Sequence, residues 1–337
     1  MKVTIKEIAK ELGVAPSTVS RALRNHPAIS EKTKQLVHQT AERLGYRPNI
    51  LARGLATRRS YTIGLVVLDI SNPFYAEIAE GVEEVISSYG YSLLLCSSGY
   101  DPEKEKKYIS LLRDRRVEGI IITCLNVSFS HIQDLLQNGP PFVPIDWFPG
   151  DNPCVTTNNV EGARQAVEHL LSLGHRDIAY LAGPTRLPGA MDRVEGYKKA
   201  LERYGLPFRE ELVLYGHSTA KDGYKGFKEL MNRGIDFTAL FCANDVVAIG
   251  AMKAAQENGI RIPEDISLVG YDDIEIASLL SVPLTTVWQP RKEQGETAAK
   301  ILMDILTKKE RILQKVVMEQ KLIVRMSTKT PRKGVKK

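Results

Sequence analysis

The sequence predicts two kinds of structure in one chain: an N-terminal all-α module of three short helices, then an α/β body of two doubly wound, parallel-sheet lobes. Three observations carry this. Residues 1–60 hold 12 Lys/Arg against 4 Asp/Glu, a net charge of +8, whereas residues 61–328 sum to −7. Apolar residues recur at helical spacing as far as Leu44, and from Thr62 continuous Val/Ile/Leu runs alternate with amphipathic helices. Those runs form two series, separated by the stretch VTTNN (155–159). With 337 residues, 43% of them hydrophobic, the chain is long enough for about two or three domains and can bury a large core.

The first helix begins in TIKEIAKELG, where Thr4 is the N-cap and Glu7 stands three residues on, the spacing of a capping box. Ile5, Ile8, Ala9 and Leu12 form its apolar face, and Gly13 ends it. A very short turn leads to a second helix in which Pro16 takes the first position. Val19, Ala22 and Leu23 face inward there; Ser17, Thr18, Ser20, Arg21 and Arg24 face outward. A third helix runs from its N-cap Ser30 to Gly45, with Leu36, Val37, Thr40, Ala41 and Leu44 at helical spacing. Two short helices joined by a tight turn and braced by a third read as helix-turn-helix. The start of the second helix is then expected in the major groove of DNA, and Arg21 can donate two hydrogen bonds to guanine O6 and N7.

In the body, the runs TIGLVVL, YSLLLC, VEGIIIT, FVPID, DIAYLAG, LVLYG, TALFCAN and ISLVGYDD read as strands buried on both faces, as in parallel α/β folds. Ligands in such sheets bind beyond the carboxyl ends of strands. That rule selects Asp69, Ser71, Asn72, Phe74 and Tyr75, then Asp146 with Trp147, Asn244 with Asp245, Asp272 with Asp273, and Gln289. Arg193 joins them from the helix after YLAGP. Carboxylates and amides can hold adjacent hydroxyls, and aromatic rings can cover the apolar faces of a sugar. Plainer alternatives stand beside these: Asn244 or Asp272 as helix caps, Arg193 paired on the surface with Asp192 or Glu195, Phe74 and Tyr75 as core.

TIKEIAKELGVAPSTVSRALRN, followed by AERLGYRPNILARGLATRRSYTIGLVV, closely resembles the lactose-repressor/purine-repressor (LacI/GalR) family of bacterial transcription factors, and the resemblance runs to about residue 327. It implies a helix-turn-helix domain over 1–47 and a hinge helix over 48–60. The body is then a periplasmic-binding-protein-like sensor, with a first lobe of 61–160 and 291–320 and a second of 161–290 and 321–328. Residues 329–337 form a basic tail. The chain after Met326 is expected to be a solvated end. Pro16, Ser17, Thr18 and Arg21 fall at DNA-reading positions, and Leu55 where a side chain wedges into the minor groove. Asn72, Phe74, Tyr75, Asp146, Trp147, Arg193, Asn244, Asp272 and Gln289 fall at effector-binding positions. Leu187 and Gly189 replace polar residues with which the purine repressor holds its base, so a sugar is preferred over a purine.

The implied partners are operator DNA, a small-molecule effector and a second copy of the chain, the homodimer meeting along the helices at 73–89 and 102–114. LDISNPFYAE also resembles regulators of carbon catabolite control, which adds a phosphoprotein corepressor as an alternative to the sugar. The four cysteines stand singly in apolar runs, so no metal site and no cofactor is expected. No HExxH, GxSxG, P-loop or GxGxxG motif is present, and no enzyme activity is expected. The start MKVTIKEIAK lacks an apolar signal core, and no run reaches the ~18 apolar residues of a membrane span. A cytoplasmic regulator is therefore expected rather than a plain sugar-binding protein.

Overall fold

A computed structural model describes residues 3–23, 25–46, 59–123, 130–146, 153–216, 218–308 and 315–332. Leu55, Trp147, Arg24, Cys124 and most of the expected hinge lie outside the described residues. The chain divides into two compact units, Met1–Ser60 and Tyr61–Lys337.

In the first unit, α1 (Ile5–Leu12), α2 (Pro16–Ala22) and α3 (Glu31–Arg43) enclose a small core of Ile8, Ala9, Val19, Ala22, Val37 and Ala41. The Glu7 carboxylate reaches back to accept from the Thr4 backbone N–H at 2.6 Å and from its hydroxyl at 3.1 Å. Gly13 closes α1 at φ +63°, a region that costs glycine nothing. The Ser30 side chain caps α3 by accepting from the Thr33 N–H. Leu36 departs from the expected inward set and is 49% exposed. Val37, Thr40, Ala41 and the half-buried Leu44 already fill the inner stripe of a one-sided helix, and Leu36 falls outside it.

The second unit opens with β1 (Thr62–Val67), α4 (Pro73–Ser88), β2 (Ser92–Ser97), α5 (Pro102–Asp114), β3 (Gly119–Thr123), α6 (Ser130–Asn138), β4 (Phe142–Ile145) and β5 (Cys154–Thr157). It continues with α7 (Asn159–Ser172), β6 (Ile178–Leu181), α8 (Pro188–Arg203), β7 (Val213–Leu214), α9 (Ala220–Asn232), β8 (Ala239–Cys242), α10 (Asp245–Glu257) and β9 (Ser267–Val269). It closes with α11 (Glu275–Leu279), β10 (Thr286–Trp288), α12 (Arg291–Lys308), β11 (Lys315–Met318) and β12 (Lys321–Ile323).

Two sheets result. A six-stranded parallel sheet runs β11-β5-β4-β3-β1-β2, and a four-stranded parallel sheet runs β7-β6-β8-β9. The antiparallel pair β10–β12 adjoins the second sheet through bridges at Val269–Thr285 and Asp272–Trp288. The central strands of each sheet are buried on both faces. On β1, Ile63, Leu65 and Val67 join α4 and α12 on one side, while Val66 joins α5 on the other. On β6, Ala179 and Leu181 face α9 and α10, and Ile178 and Tyr180 face α7 and α8.

The chain passes between the sheets three times: from β5 to α7 at residue 158, from β10 to α12 at residues 289–290, and from β11 to β12 at residues 319–320. A side-chain triangle ties these passages together. Thr157 Oγ1 donates to Gln289 Oε1 at 3.2 Å, and Gln320 Nε2 donates to both, at 2.9 Å to Gln289 and 3.2 Å to Thr157.

Among the described residues, the chain after Met326, from 327 to 332, is tied to the second sheet rather than solvated as expected. Ser327 is fully buried; its hydroxyl donates to Leu268 O at 2.6 Å and accepts from the Thr285 N–H at 2.8 Å. His175, also buried, holds Thr238 Oγ1 at 2.8 Å, Ser267 Oγ at 3.0 Å and Lys329 O at 2.9 Å. As the last strand of its parallel sheet, β9 has an unpaired backbone edge that needs partners, and this segment supplies some of them. Arg332 pairs with Asp265 at 3.1 Å. The buried thiols include Cys96, Cys154 and Cys242. No helix among the described residues is long and apolar enough to cross a membrane.

Candidate functional site

On α2, Pro16 occupies the first helical position, where its missing N–H costs no hydrogen bond. Val19 and Ala22 turn fully inward. Ser17 and Arg21, one turn apart, are exposed on the opposite side, and Thr18 is half-buried between the two faces. The helix therefore presents a short hydroxyl and a guanidinium together. That pairing can meet base edges in a groove deep enough to admit a helix.

In the second unit, a cleft opens between the carboxyl ends of the two sheets. Its free space, counted out to the open mouth, is about 750 Å³. Asn72, Phe74, Tyr75, Asp146, Arg193, Asn244, Asp272 and Gln289 all line it. Phe74 packs against the cores of both sheets. Its ring meets Tyr75 edge-on, with centroids 5.0 Å apart. Arg186 donates to the Tyr100 carbonyl at 2.7 Å, from the loop before α8 to the loop after β2.

Arg193 is the central cation, and it is not a surface ion pair. Its guanidinium lies 3.7 Å from the Tyr271 ring centroid. Nε donates to Asn159 Oδ1 at 2.9 Å and Nη1 to Ala243 O at 2.6 Å, while Nη2 stands 4.0 Å from Asp272 Oδ1. Asp272 is buried and accepts from Gln289 Nε2 at 2.7 Å. Burial pushes its carboxyl up to about 6; Arg193, the Gln289 bond and Arg291 pull in the other direction.

Asp146 and Asp272 both sit at positive φ, +91° and +109°. Side chains rarely adopt that region, and such strain gathers at functional sites. Asp146 also depends on a neighbour without a side chain: a Cβ on Gly189 would lie 2.6 Å from Asp146 Oδ2.

Four of the strand-end residues have duties inside the protein. Asn244 Oδ1 caps α10 by accepting from the Val247 N–H at 2.7 Å, and its Nδ2 donates to Ser218 O. Gln289 is engaged at both ends of its amide, by Thr157 and Gln320 on the oxygen and by Asp272 on the nitrogen. Asp245, a strand-end acid, is fully buried away from the cleft lining, accepting from Thr286 Oγ1 at 2.6 Å and the Ile274 N–H at 2.9 Å. Asp273 pairs with Arg325 at 2.7 Å.

Strand-end reasoning missed other lining residues, among them Tyr100, Thr157, Asn159 and Gln294. Thr157 and Asn159 flank a passage between the sheets, and Gln294 lies in the first turn of a helix. Gln294 carried a legible signal: Arg291, Gln294, Gly295 and Ala298 share one buried face at helical spacing. No group of three or more His, Cys, Asp or Glu positioned for a metal ion occurs among the described residues.

Comparison with known proteins gives two family matches. Residues 60–325 match periplasmic binding proteins and the sugar binding domain of the LacI family, and residues 4–49 match bacterial regulatory proteins of the lacI family. The chain is 38% identical over 333 residues to the HTH-type transcriptional regulator DegA of Bacillus subtilis (strain 168), covering 97% of this chain and 98% of that protein. Among solved structures, the lac repressor dimer bound to operator and the anti-inducer ONPF superposes with a TM-score of 0.85. It is 29% identical and covers 98% of this chain, 100% of that chain being matched. The transcriptional regulator CelR–cellobiose complex superposes with a TM-score of 0.74 at 32% identity, over 97% of this chain and 100% of that one.

Proposed function

The chain belongs to the LacI family and is a DNA-binding transcriptional regulator, and from that premise we propose that it represses transcription as a homodimer whose operator affinity is set by a sugar held in the cleft. The observation that carries the sugar is the pair Asp146 and Asp272, each in a strained strand-end conformation, facing Arg193 beside the Phe74–Tyr75 rings. Ionised carboxylates accept from vicinal hydroxyls, the guanidinium donates to an oxygen between them, and the rings cover carbon faces. Gly189 supports a polyol over a base: the space a polar side chain would take there is filled by the Asp146 carboxylate. The relative solved with cellobiose supports the same ligand class.

On this reading Ser17 and Arg21 read the operator, and Leu55 wedges its minor groove. Copies meet along two surfaces. One is the edge of the six-stranded sheet at β2 with the outer sides of α4 and α5, where Leu95 and Leu111 are exposed. The other holds the exposed Ile276, Leu279, Val324 and Met326, apolar side chains that a partner would cover.

A thermal-shift screen of pentoses, hexoses, their phosphates and purines tests the ligand class, since a ligand raises stability by mass action. A sugar is expected to stabilise the protein and to change its affinity for an operator duplex. Stabilisation by a purine and by no sugar would sink the sugar; an operator affinity indifferent to the stabilising sugar would sink its role as effector.

A further inference from the structure

We propose that Gln294 reads an oxygen atom of the bound effector from the first turn of α12, and so sets specificity. The inference rests on the reading that the cleft holds the effector. Gln294 is 3% exposed and lines the cleft. Among the described residues, only two buried polar side-chain atoms have neither a hydrogen-bond nor an ion-pair partner: the Tyr180 hydroxyl, inside the core of the second sheet, and Gln294 Nε2. A buried amide N–H without a partner is costly, and native proteins leave few of them. A turn of the amide about its last bond would bring this N–H to the cleft, where a ligand oxygen would satisfy it.

The helix that carries this amide is also held in place. A Cβ on the adjacent Gly295 would lie 2.2 Å from Ile78 O, so α12 packs against α4 backbone to backbone. Arg291, one turn before, bonds Glu77 Oε2 at 2.9 Å and the Asp272 carbonyl. A donor carried on so fixed a backbone needs no rearrangement of its helix when a ligand seats, which favours selective binding. The nearby Gln289, whose amide the protein itself engages, makes the contrast: of the two glutamines, Gln294 has the open donor. The ligand it fits is a neutral polyol with a hydroxyl, ring or glycosidic oxygen facing α12.

The test compares wild type with Gln294→Met and Gln294→Leu, using full-length protein and ribose, glucose and cellobiose as probes. Without ligand, both variants are expected to melt at or above the wild-type temperature, because removing an unpaired buried donor relieves a cost. Calorimetric titration is expected to show the binding sugar weakened by about tenfold or more in the variants. A single-deoxy analogue of that sugar should lose affinity for the wild type and no more for Gln294→Met. A ligand-free melting point lowered by more than about 5 °C in both variants would make the amide structural and overturn the inference, as would unchanged sugar affinity. Failure of all three sugars to bind the wild type overturns the sugar reading instead. The ligand-free melt then still separates a structural Gln294, which overturns the inference, from an unbonded one, which supports it.

Discussion

On α2, Ser17 and Arg21 stand in solvent, while Val19 and Ala22 behind them are fully buried. In the cleft, Arg193, Asp272 and Gln289 are largely withdrawn from water and bonded to other groups. The first arrangement separates reading from folding: a solvated side chain can change without disturbing the core of its helix. The second merges them, because each buried polar group relies on its neighbours for hydrogen bonds. Substitutions on α2 are therefore expected to act almost independently, and substitutions in the cleft to couple.

Asp272→Ala presses hardest on that contrast. It removes a ligand acceptor, leaves Gln289 Nε2 without its partner and Arg193 without its nearby carboxylate, so the cost to effector binding is expected at about 2–5 kcal/mol. Effector response is lost while operator affinity holds; a retained response in a reporter or anisotropy assay would remove Asp272 from the site.

The next effect comes from pH. The folded-state value for Asp272 is about 6, above the unfolded ~3.9. The native state thus holds this proton more tightly, and the group's contribution to stability falls as pH rises through the window from about 4 to 6, by about 3 kcal/mol in all. Asp272→Asn abolishes that slope, so denaturant unfolding should show the variant gaining on wild type between pH 4 and 7; parallel profiles would contradict the buried carboxyl. The sign for the ligand is opposite: an ionised carboxylate accepts the hydroxyls, so the effector should bind about tenfold more weakly at pH 5 than at 7.5.

On the solvated side, Arg21→Ala is expected to cost about 1–3 kcal/mol of discrimination at one base pair, with no change in effector affinity. Equal weakening on every sequence would assign Arg21 to phosphate alone. Leu55→Ala is expected to act least on affinity and mainly on duplex shape: DNA bending in a circular-permutation assay should fall. Unchanged bending would reduce the segment to a tether.

The same division decides what was legible in the sequence. TIGLVV announces itself because both of its faces are buried. KVVM does not, since β11 lies at a sheet edge with alternate residues exposed. The eight described cleft residues stand out by their places at strand ends and by family likeness, and the local pattern also offers Asn244 as a helix cap, which the structure bears out; neither route shows that Gln289 is engaged by the protein or that Gln294 is not. The bond between Thr157 and Gln289 joins positions 132 apart, and no local pattern encodes it. The chain after Met326 was misjudged for a related reason: its charges say solvent, while Ser327 and the Lys329 backbone are tied to β9.

The triangle of Thr157, Gln289 and Gln320 has a mechanical consequence. Three separate passages between two bodies would permit twisting, sliding and opening in any mixture. Tied at one point, they form a single junction, and rotation about that point is expected to strain the three bonds less than sliding would. Gln289 is also the residue that grips Asp272. The junction and the carboxylate proposed to hold the effector thus share one side chain, so on that proposal a shift of the carboxylate would be felt where the passages meet.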